Sequence, residues 1–104
     1  MATTADYVQY VCEQLRGVGE LRYRKMFGEY MVYVNEKPLL LLCDFTVYVK
    51  KLPQLAEKMA SAAVGIPYPN AKEHYILDID DGETAREIVS LIEAVTPPPK
   101  PKKR

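Results

Sequence analysis

The chain has 104 residues, 48% of them hydrophobic and 27% charged, a balance typical of one small globular domain and unlike that of a disordered chain. The formal net charge is zero, but removing the four basic residues among positions 100–104 from the fourteen leaves ten basic against fourteen acidic side chains. The body of the protein is therefore mildly acidic, which argues against a whole-domain electrostatic grip on nucleic acid.

The cysteine count and the N-terminal sequence indicate in which cellular compartment the protein is expected. Two thiols, Cys12 and Cys43, do not make a disulfide framework. Residues 1–6 lack the basic and apolar regions of a signal peptide, and the longest apolar run, residues 39–43, is far shorter than the roughly 20 residues of a membrane helix. We expect a cytoplasmic protein without a membrane partner.

The first element is predicted to be a helix. Thr3 and Asp6 have the spacing of a capping box, and Gly17 and Gly19 supply a stop signal. Apolar residues then recur at steps of three and four, which places them on one helical face: Val8, Val11, Leu15 and Val18.

Four strands are predicted next, over residues 22–26, 30–34, 38–43 and 46–50, joined by short polar links as an antiparallel meander. Residues 39–42 are four consecutive leucines, so this strand is apolar on both faces. An antiparallel strand with one wet face would alternate instead. We therefore expect a helix or a second copy of the chain to cover the other face, which makes a homodimer possible.

The remaining elements are two helices and a strand. Apolar residues of helical spacing predict a helix over residues 53–63, ended by Gly65 and Pro67. A strand over 74–79 and a helix capped by Asp80, with Glu83 three residues on, follow. The order α-β-β-β-β-α-β-α predicts a two-layer α+β domain over residues 1–96, with three helices and an antiparallel sheet of four to five strands. Residues 97–104 form a Pro/Lys-rich basic tail.

Several ordered motifs give the chain a family resemblance. Residues 24–30 read Arg-Lys-Met-Phe-Gly-Glu-Tyr, residues 68–72 read Tyr-Pro-Asn-Ala-Lys, and residues 75–77 read Tyr-Ile-Leu. Between them, Cys-Asp at 43–44 precedes Val-Tyr-Val-Lys at 47–50. In these motifs the chain resembles the N-terminal domain of the TfoX/Sxy competence regulators over nearly its whole length, as a short stand-alone member without their helical C-terminal domain.

The resemblance implies a regulatory domain that binds a protein partner such as a transcription regulator, and the lack of a recognisable catalytic set in the sequence predicts that it is not an enzyme. The longer members act with the cyclic-AMP receptor protein at promoters. No cofactor is implied. Within the hallmark motif, we expect Phe27 to anchor the core and Gly28 to be required by the backbone; if they are not, Arg24, Phe27 and Tyr30 become binding-site candidates.

The residues that could have catalytic or metal-binding roles also have simpler structural interpretations. His74, the one histidine, lacks a nucleophile and an orienting partner in the predicted elements, so a surface role is favoured. Cys12 and Cys43 are expected to be buried and unreactive, and Asp44 should raise the pKa of Cys43. The acidic residues at 78–83 do not complete a calcium loop, so no metal site is expected.

A basic cluster supplies the alternative function. If the first and fourth strands are close, they form one patch of five residues: Arg22, Arg24, Lys25, Lys50 and Lys51. Together with the tail, this patch could bind nucleic acid, since charge interleaved with tyrosine is typical of single-strand binders. The patch could equally protect a strand edge. The tyrosines of the meander suit an interface or a half-buried sheet.

Overall fold

The computed structural model describes residues 3–26 and 29–97. These residues contain two α-helices and six β-strands. The helices are α1 (Ala5–Gln14) and α2 (Gly82–Val95). The strands are β1 (Leu21–Met26), β2 (Glu29–Val34), β3 (Lys37–Cys43), β4 (Thr46–Lys50), β5 (Val64–Gly65) and β6 (His74–Leu77). They form one antiparallel sheet in the order β1-β2-β3-β4-β6-β5.

The α+β class and the antiparallel sheet are confirmed, and each of the five predicted strands is present. The counts of elements differ: the described residues hold six strands instead of four to five, and two α-helices instead of three. The added strand is β5, whose two residues pair with the start of β6.

The helix predicted over residues 53–63 is wrong. A single 3₁₀ turn, Pro53–Leu55, is followed by irregular turns. Leu55 and Met59 are the buried residues of its predicted apolar stripe. Most of the other positions are alanines, which have little apolar area to bury and would therefore stabilise a packed helix only weakly. Because β5 begins at Val64, the backbone must already be extended there, and sheet pairing competes with a regular helix just before it.

Both predicted helix caps are displaced by one residue. The N-cap of α1 is Thr4, whose hydroxyl accepts a hydrogen bond from the Tyr7 amide at 3.4 Å. Thr3, the predicted cap, is instead buried, and its hydroxyl accepts from the Phe45 amide at 3.1 Å. Thr3 therefore ties the N-terminus to the turn between β3 and β4.

At α2 the cap is Asp81, which accepts from the Thr84 amide at 3.3 Å, whereas the sequence pointed to Asp80. The Asp80 carboxylate accepts a hydrogen bond from the Tyr10 hydroxyl, which fastens α1 to the beginning of α2. Arg86 of α2 adds a hydrogen bond to the Gln14 carbonyl at 3.0 Å.

Two hairpin turns contain residues with left-handed backbone and no glycine. In the β2–β3 turn, Asn35 and Glu36 have φ of 51° and 69°; in the β3–β4 turn, Asp44 and Phe45 have φ of 52° and 57°. Positive φ at both central residues matches the twist of an antiparallel hairpin. Asn and Asp tolerate this conformation, but a bulky residue such as Phe45 pays a steric cost in it.

The core lies between the helices and one face of the sheet. Its most completely buried side chains come from both layers: Val8, Val11, Leu15, Val32, Val34, Leu40, Leu42, Val47, Val49, Leu55, Ile88 and Val89. An ion pair between Lys37 of β3 and Glu93 of α2, at 2.9 Å, joins the layers at their rim.

Three predictions fall outside the described residues: the roles of Phe27 and Gly28, and the behaviour of the tail from residue 98 onward.

Candidate functional site

The open face of the sheet is the face that neither α1 nor α2 covers. Along β2, the buried residues Tyr30, Val32 and Val34 alternate with the half-buried Met31 and Tyr33. The buried residues of both helices belong to the same apolar cluster as the buried residues of β2. Since successive strand residues point to opposite faces, the half-buried set faces away from the helices.

One row of side chains crosses five strands of the open face, each residue being the cross-strand partner of the next. The row consists of Arg24, Met31, Leu41, Tyr48 and Ile76. Arg24 is exposed at the end of the row, and the other four are half-buried. Directly opposed side chains are about 5 Å apart at Cβ, so these four form a contiguous apolar stripe. A stripe of this kind on a sheet surface is typical of a contact site.

A β-bulge decides which leucines of β3 belong to the stripe. Val32 opposes Leu40, but the next residue of β2 opposes Pro38, so Leu39 is the extra residue. Leu39 is buried and lines a small cavity with Ile92 of α2. Three of the four leucines at 39–42 thus pack on the helix side, and the expectation of a strand apolar on both faces holds only for Leu41.

The predicted basic cluster is not one patch. Because β2 and β3 lie between β1 and β4, the two groups of cations are three strand spacings apart, or roughly 14 Å at 4.8 Å each. Arg22 and Arg24 share the open face, where the Arg22 guanidinium lies 4.4 Å from the centre of the Tyr33 ring. Strand alternation places Lys25 on the opposite face.

The other predicted binding residues divide between the core and the far end of β4. Tyr30 is 7% exposed and packs edge-to-face against the Tyr23 ring, so it is a core residue. Lys50 lies on the open face beside His74, its partner in β6. Lys51 forms an ion pair with Glu73 at 2.8 Å, and this hydrogen bond raises the pKa of Lys51. Phe27 lies outside the described residues.

Cys43 is buried as expected of a structural thiol, whereas Cys12 is only half-buried. Burial raises the pKa of Cys43 to about 11, with smaller contributions from Glu29 and Asp44, so the thiol is protonated at neutral pH. Burial also raises the pKa of Cys12. The upward effect of Asp44 on Cys43 is confirmed, although burial contributes more.

His74 is fixed on the open face by two neighbours. Its Nδ1 lies 2.7 Å from the Lys72 carbonyl oxygen, which can only accept, so Nδ1 carries the proton. Its ring meets the Tyr48 ring edge-on, with centroids 6.4 Å apart. Neither contact supplies a nucleophile or a carboxylate to orient the imidazole.

Sequence reasoning missed the residues that complete this surface. Met31, Leu41, Tyr48 and Ile76 were each placed on strands, but their alignment in one row depends on the sheet order, which no local pattern encodes. Tyr68 is 55% exposed and leans towards the open face from the loop before β6. The sequence signal that could have found them is the alternation of residues along β2, β4 and β6, which shows which residues share the face opposite the core.

A cavity of about 570 Å³ lies on the helix side, lined by Phe45 and Tyr7. Its floor is the apolar core, and among the predicted binding residues that the structure describes, none lines it. Across residues 3–26 and 29–97 we find no grouping of His, Cys, Asp and Glu that could hold a metal ion. Within the same residues, each helix is too short or too polar to cross a bilayer.

Comparison with known proteins confirms the resemblance. Residues 13–93 match the family model of the TfoX N-terminal domain, a span that runs from α1 into α2 and includes the whole sheet. The chain is also 33% identical over 105 residues to an uncharacterized 12.7 kDa protein in the trpE 5′ region of Spirochaeta aurantia. That alignment covers 99% of this chain and 91% of its relative.

Proposed function

Since the chain belongs to the TfoX N-terminal domain family, we propose that it is a non-enzymatic interaction domain with a regulatory role, and that a protein partner binds the open face of its sheet. The family is linked to competence regulation. The observation that carries the proposal is the row from Arg24 to Ile76, which is apolar along four strands, bounded by a cation and left without a helix above it in the described part of the chain. Interface cores are likewise rich in aromatic residues, Met and Arg.

Leu41→Lys tests this proposal at the centre of the row. Because Leu41 is half-buried and faces away from the helices, a lysine there can extend its amine to water, and we expect unfolding free energy to fall by less than about 1 kcal/mol. Binding should weaken by about tenfold or more, because the charge would be desolvated in the interface. The first partner to measure by surface plasmon resonance is the host's cyclic-AMP receptor protein.

Arg16→Gln is the matched control, since Arg16 is exposed just after α1 and has no ion-pair partner among the described residues. It should bind as the parent does. A Leu41→Lys protein that is folded and retains the parent's affinity for a partner that binds the parent would overturn the assignment of the open face. If the receptor protein does not bind the parent, partners identified by cross-linking through an open-face position are tested in the same way.

A non-enzymatic role is supported by the state of the candidate nucleophiles. The thiols have raised pKa values, and the two neighbours of His74 do not activate it. A turnover screen over hydrolase and transferase substrates should be blank. Activity that disappears with His74→Gln or Cys12→Ala would refute this part of the proposal.

Single-stranded nucleic acid is the second candidate ligand for the open face. Arg22 stacked over Tyr33, with Arg24 beside it, places charge next to an aromatic ring in the manner of single-strand binders. Binding of this kind gives a steep negative slope of log affinity against log salt. No binding of a labelled oligonucleotide at low salt would remove this candidate.

A homodimer through the open face is the remaining arrangement that the stripe allows. Sedimentation velocity of the parent and of Leu41→Lys separates it from hetero-association: a dimer that dissociates in the variant identifies the second copy as the occupant.

A further inference from the structure

Two adjoining cavities lie where β4 ends and β6 begins, beside the apolar row. The larger, about 410 Å³, is lined by Lys50, Lys51, Tyr68, Lys72 and His74, together with Leu52 and Glu73. The smaller, about 110 Å³, shares Lys50, Tyr68 and His74 with it and continues over Met31 and Leu41. The shared residues make one continuous depression, which we call the lysine cleft. Its volume lies within the roughly 300–1,000 Å³ of small-molecule sites.

The charge of the lysine cleft is unbalanced. It contains three lysines against one acid, Glu73, and that acid is paired with Lys51 at 2.8 Å. Lys50 and Lys72 have no ion-pair partner among the described residues. Two uncompensated ammonium groups on one concave surface favour a compact anion, which they can contact from two sides.

His74 adds a directed hydrogen-bonding group between these lysines. It is the cross-strand partner of Lys50, and its Nδ1–H donates to the Lys72 carbonyl at 2.7 Å. The ring orientation is therefore set by the loop that carries Lys72, and Nε2 is the nitrogen left for a ligand. In the neutral ring Nε2 can only accept, so it can take a hydrogen bond from a protonated phosphate oxygen or a hydroxyl of the ligand.

Aromatic surface adjoins the charged end. Tyr68 is 55% exposed and lines both cavities, and the Tyr48 ring borders the smaller one. Gly65 of β5, two strands away, leaves room for the Tyr48 ring, since a Cβ on Gly65 would stand 3.2 Å from Tyr48 Cε1, closer than an ordinary contact. A flat ring has two tyrosines to pack against within the same depression.

We propose that the lysine cleft binds a small molecule in which a phosphate monoester is joined to a flat heterocycle, the chemistry of a mononucleotide. The phosphate, with a charge of about −1.5 to −2, lies between Lys50, Lys72 and His74. The heterocycle packs on Tyr68 and Tyr48. This site goes beyond the proposed partner surface and does not depend on it.

The test uses the full chain and three probes: AMP, adenosine and inorganic phosphate, followed by amide chemical shifts. AMP should bind saturably, with shifts concentrated at Lys50 and residues 66–76. Adenosine and phosphate should each bind at least about tenfold more weakly, because each lacks one half of the recognised chemistry. Lys50→Gln and Lys72→Gln should each weaken AMP by about tenfold, and Tyr68→Ala should weaken AMP without affecting phosphate.

Arg16→Gln is the control for the loss of one unpaired, exposed cation far from the lysine cleft, and it should leave AMP binding unchanged. Equal melting temperatures confirm that each variant is folded. The proposal is overturned if AMP gives no saturable shifts, if the shifts lie outside the cleft, or if Arg16→Gln weakens AMP as much as Lys50→Gln does.

Discussion

The two faces of the sheet are built from alternate residues of the same strands, yet they differ in how completely their side chains are buried. On the covered face, Val32, Leu40 and Val49 are completely buried against the helices. On the open face, Met31, Leu41 and Tyr48 are half-buried side by side, and no helix of the described residues lies above them. These central residues are apolar on both faces, so what distinguishes the two sets is whether a helix of the described residues lies above them. Stability is concentrated on one face, which leaves the other available for recognition.

Neighbouring leucines of β3 allow the sharpest test of this difference. Leu40→Ala removes a fully buried side chain and should lower the free energy of unfolding by about 2–5 kcal/mol. Leu41→Ala, one residue further on the open face, should lower it by less than about 1.5 kcal/mol, because water already reaches that site. Urea denaturation of the two variants measures the difference. Equal losses would mean that the open face is covered in solution.

The attachment of α1 on the covered face is tested at Phe45, which packs edge-to-face on Tyr7 with ring centroids 5.4 Å apart. Alanine and glycine at position 45 both remove this contact, but only glycine also relieves the left-handed φ of 57°. We expect Phe45→Gly to be more stable than Phe45→Ala by about 1 kcal/mol. Thermal melts of the two variants provide the measurement, and the opposite order would show that the turn relaxes out of this conformation.

The smallest effect concerns the ion pair that joins α2 to the sheet. Hydrogen bonds from Lys37 and then Asn35 lower the pKa of Glu93 below its ordinary value of 4.5. A lowered folded pKa stabilises the protein above pH 4.5, and that stabilisation is lost as the pH falls through the folded pKa. The melting temperature of the parent should therefore exceed that of Glu93→Gln at pH 7, and the gap should narrow towards pH 3. A gap independent of pH would contradict this account.

Local patterns were sufficient for much of the fold. The alternation of β2 and β4 and the helical spacing from Ala85 to Val95 are short-range signals, and the corresponding elements are present. The helical spacing at residues 53–63 failed because its stripe is mostly alanine and because β5 requires extended backbone directly after it. Propensity was overridden there by tertiary pairing.

The candidate site was less predictable than the fold because it is defined by sheet order. The separation of Arg24 from Lys50 follows from β2 and β3 lying between β1 and β4, and the meeting of Lys50 with His74 follows from β6 pairing with β4. The bulge at Leu39, which turns one more leucine towards the helices, left no local signal in a run of four identical residues. The predictions for Arg22, Arg24, Lys25 and Lys51 as binding residues remain predictions.

The connection between β4 and β6 has an entropic consequence. Each pairing from β2 to β4 is closed by a two-residue turn, whereas the pairing of Lys50 with His74 closes a loop of residues 51–73. Closing the longer loop costs more chain entropy. Four residues of the Arg24–Ile76 row precede this loop in the sequence and Ile76 follows it. The row is therefore complete only when β6, the last strand of the chain, has paired with β4. The proposed recognition through the open face would therefore require the complete fold, because a chain with only the local hairpins formed lacks the full row.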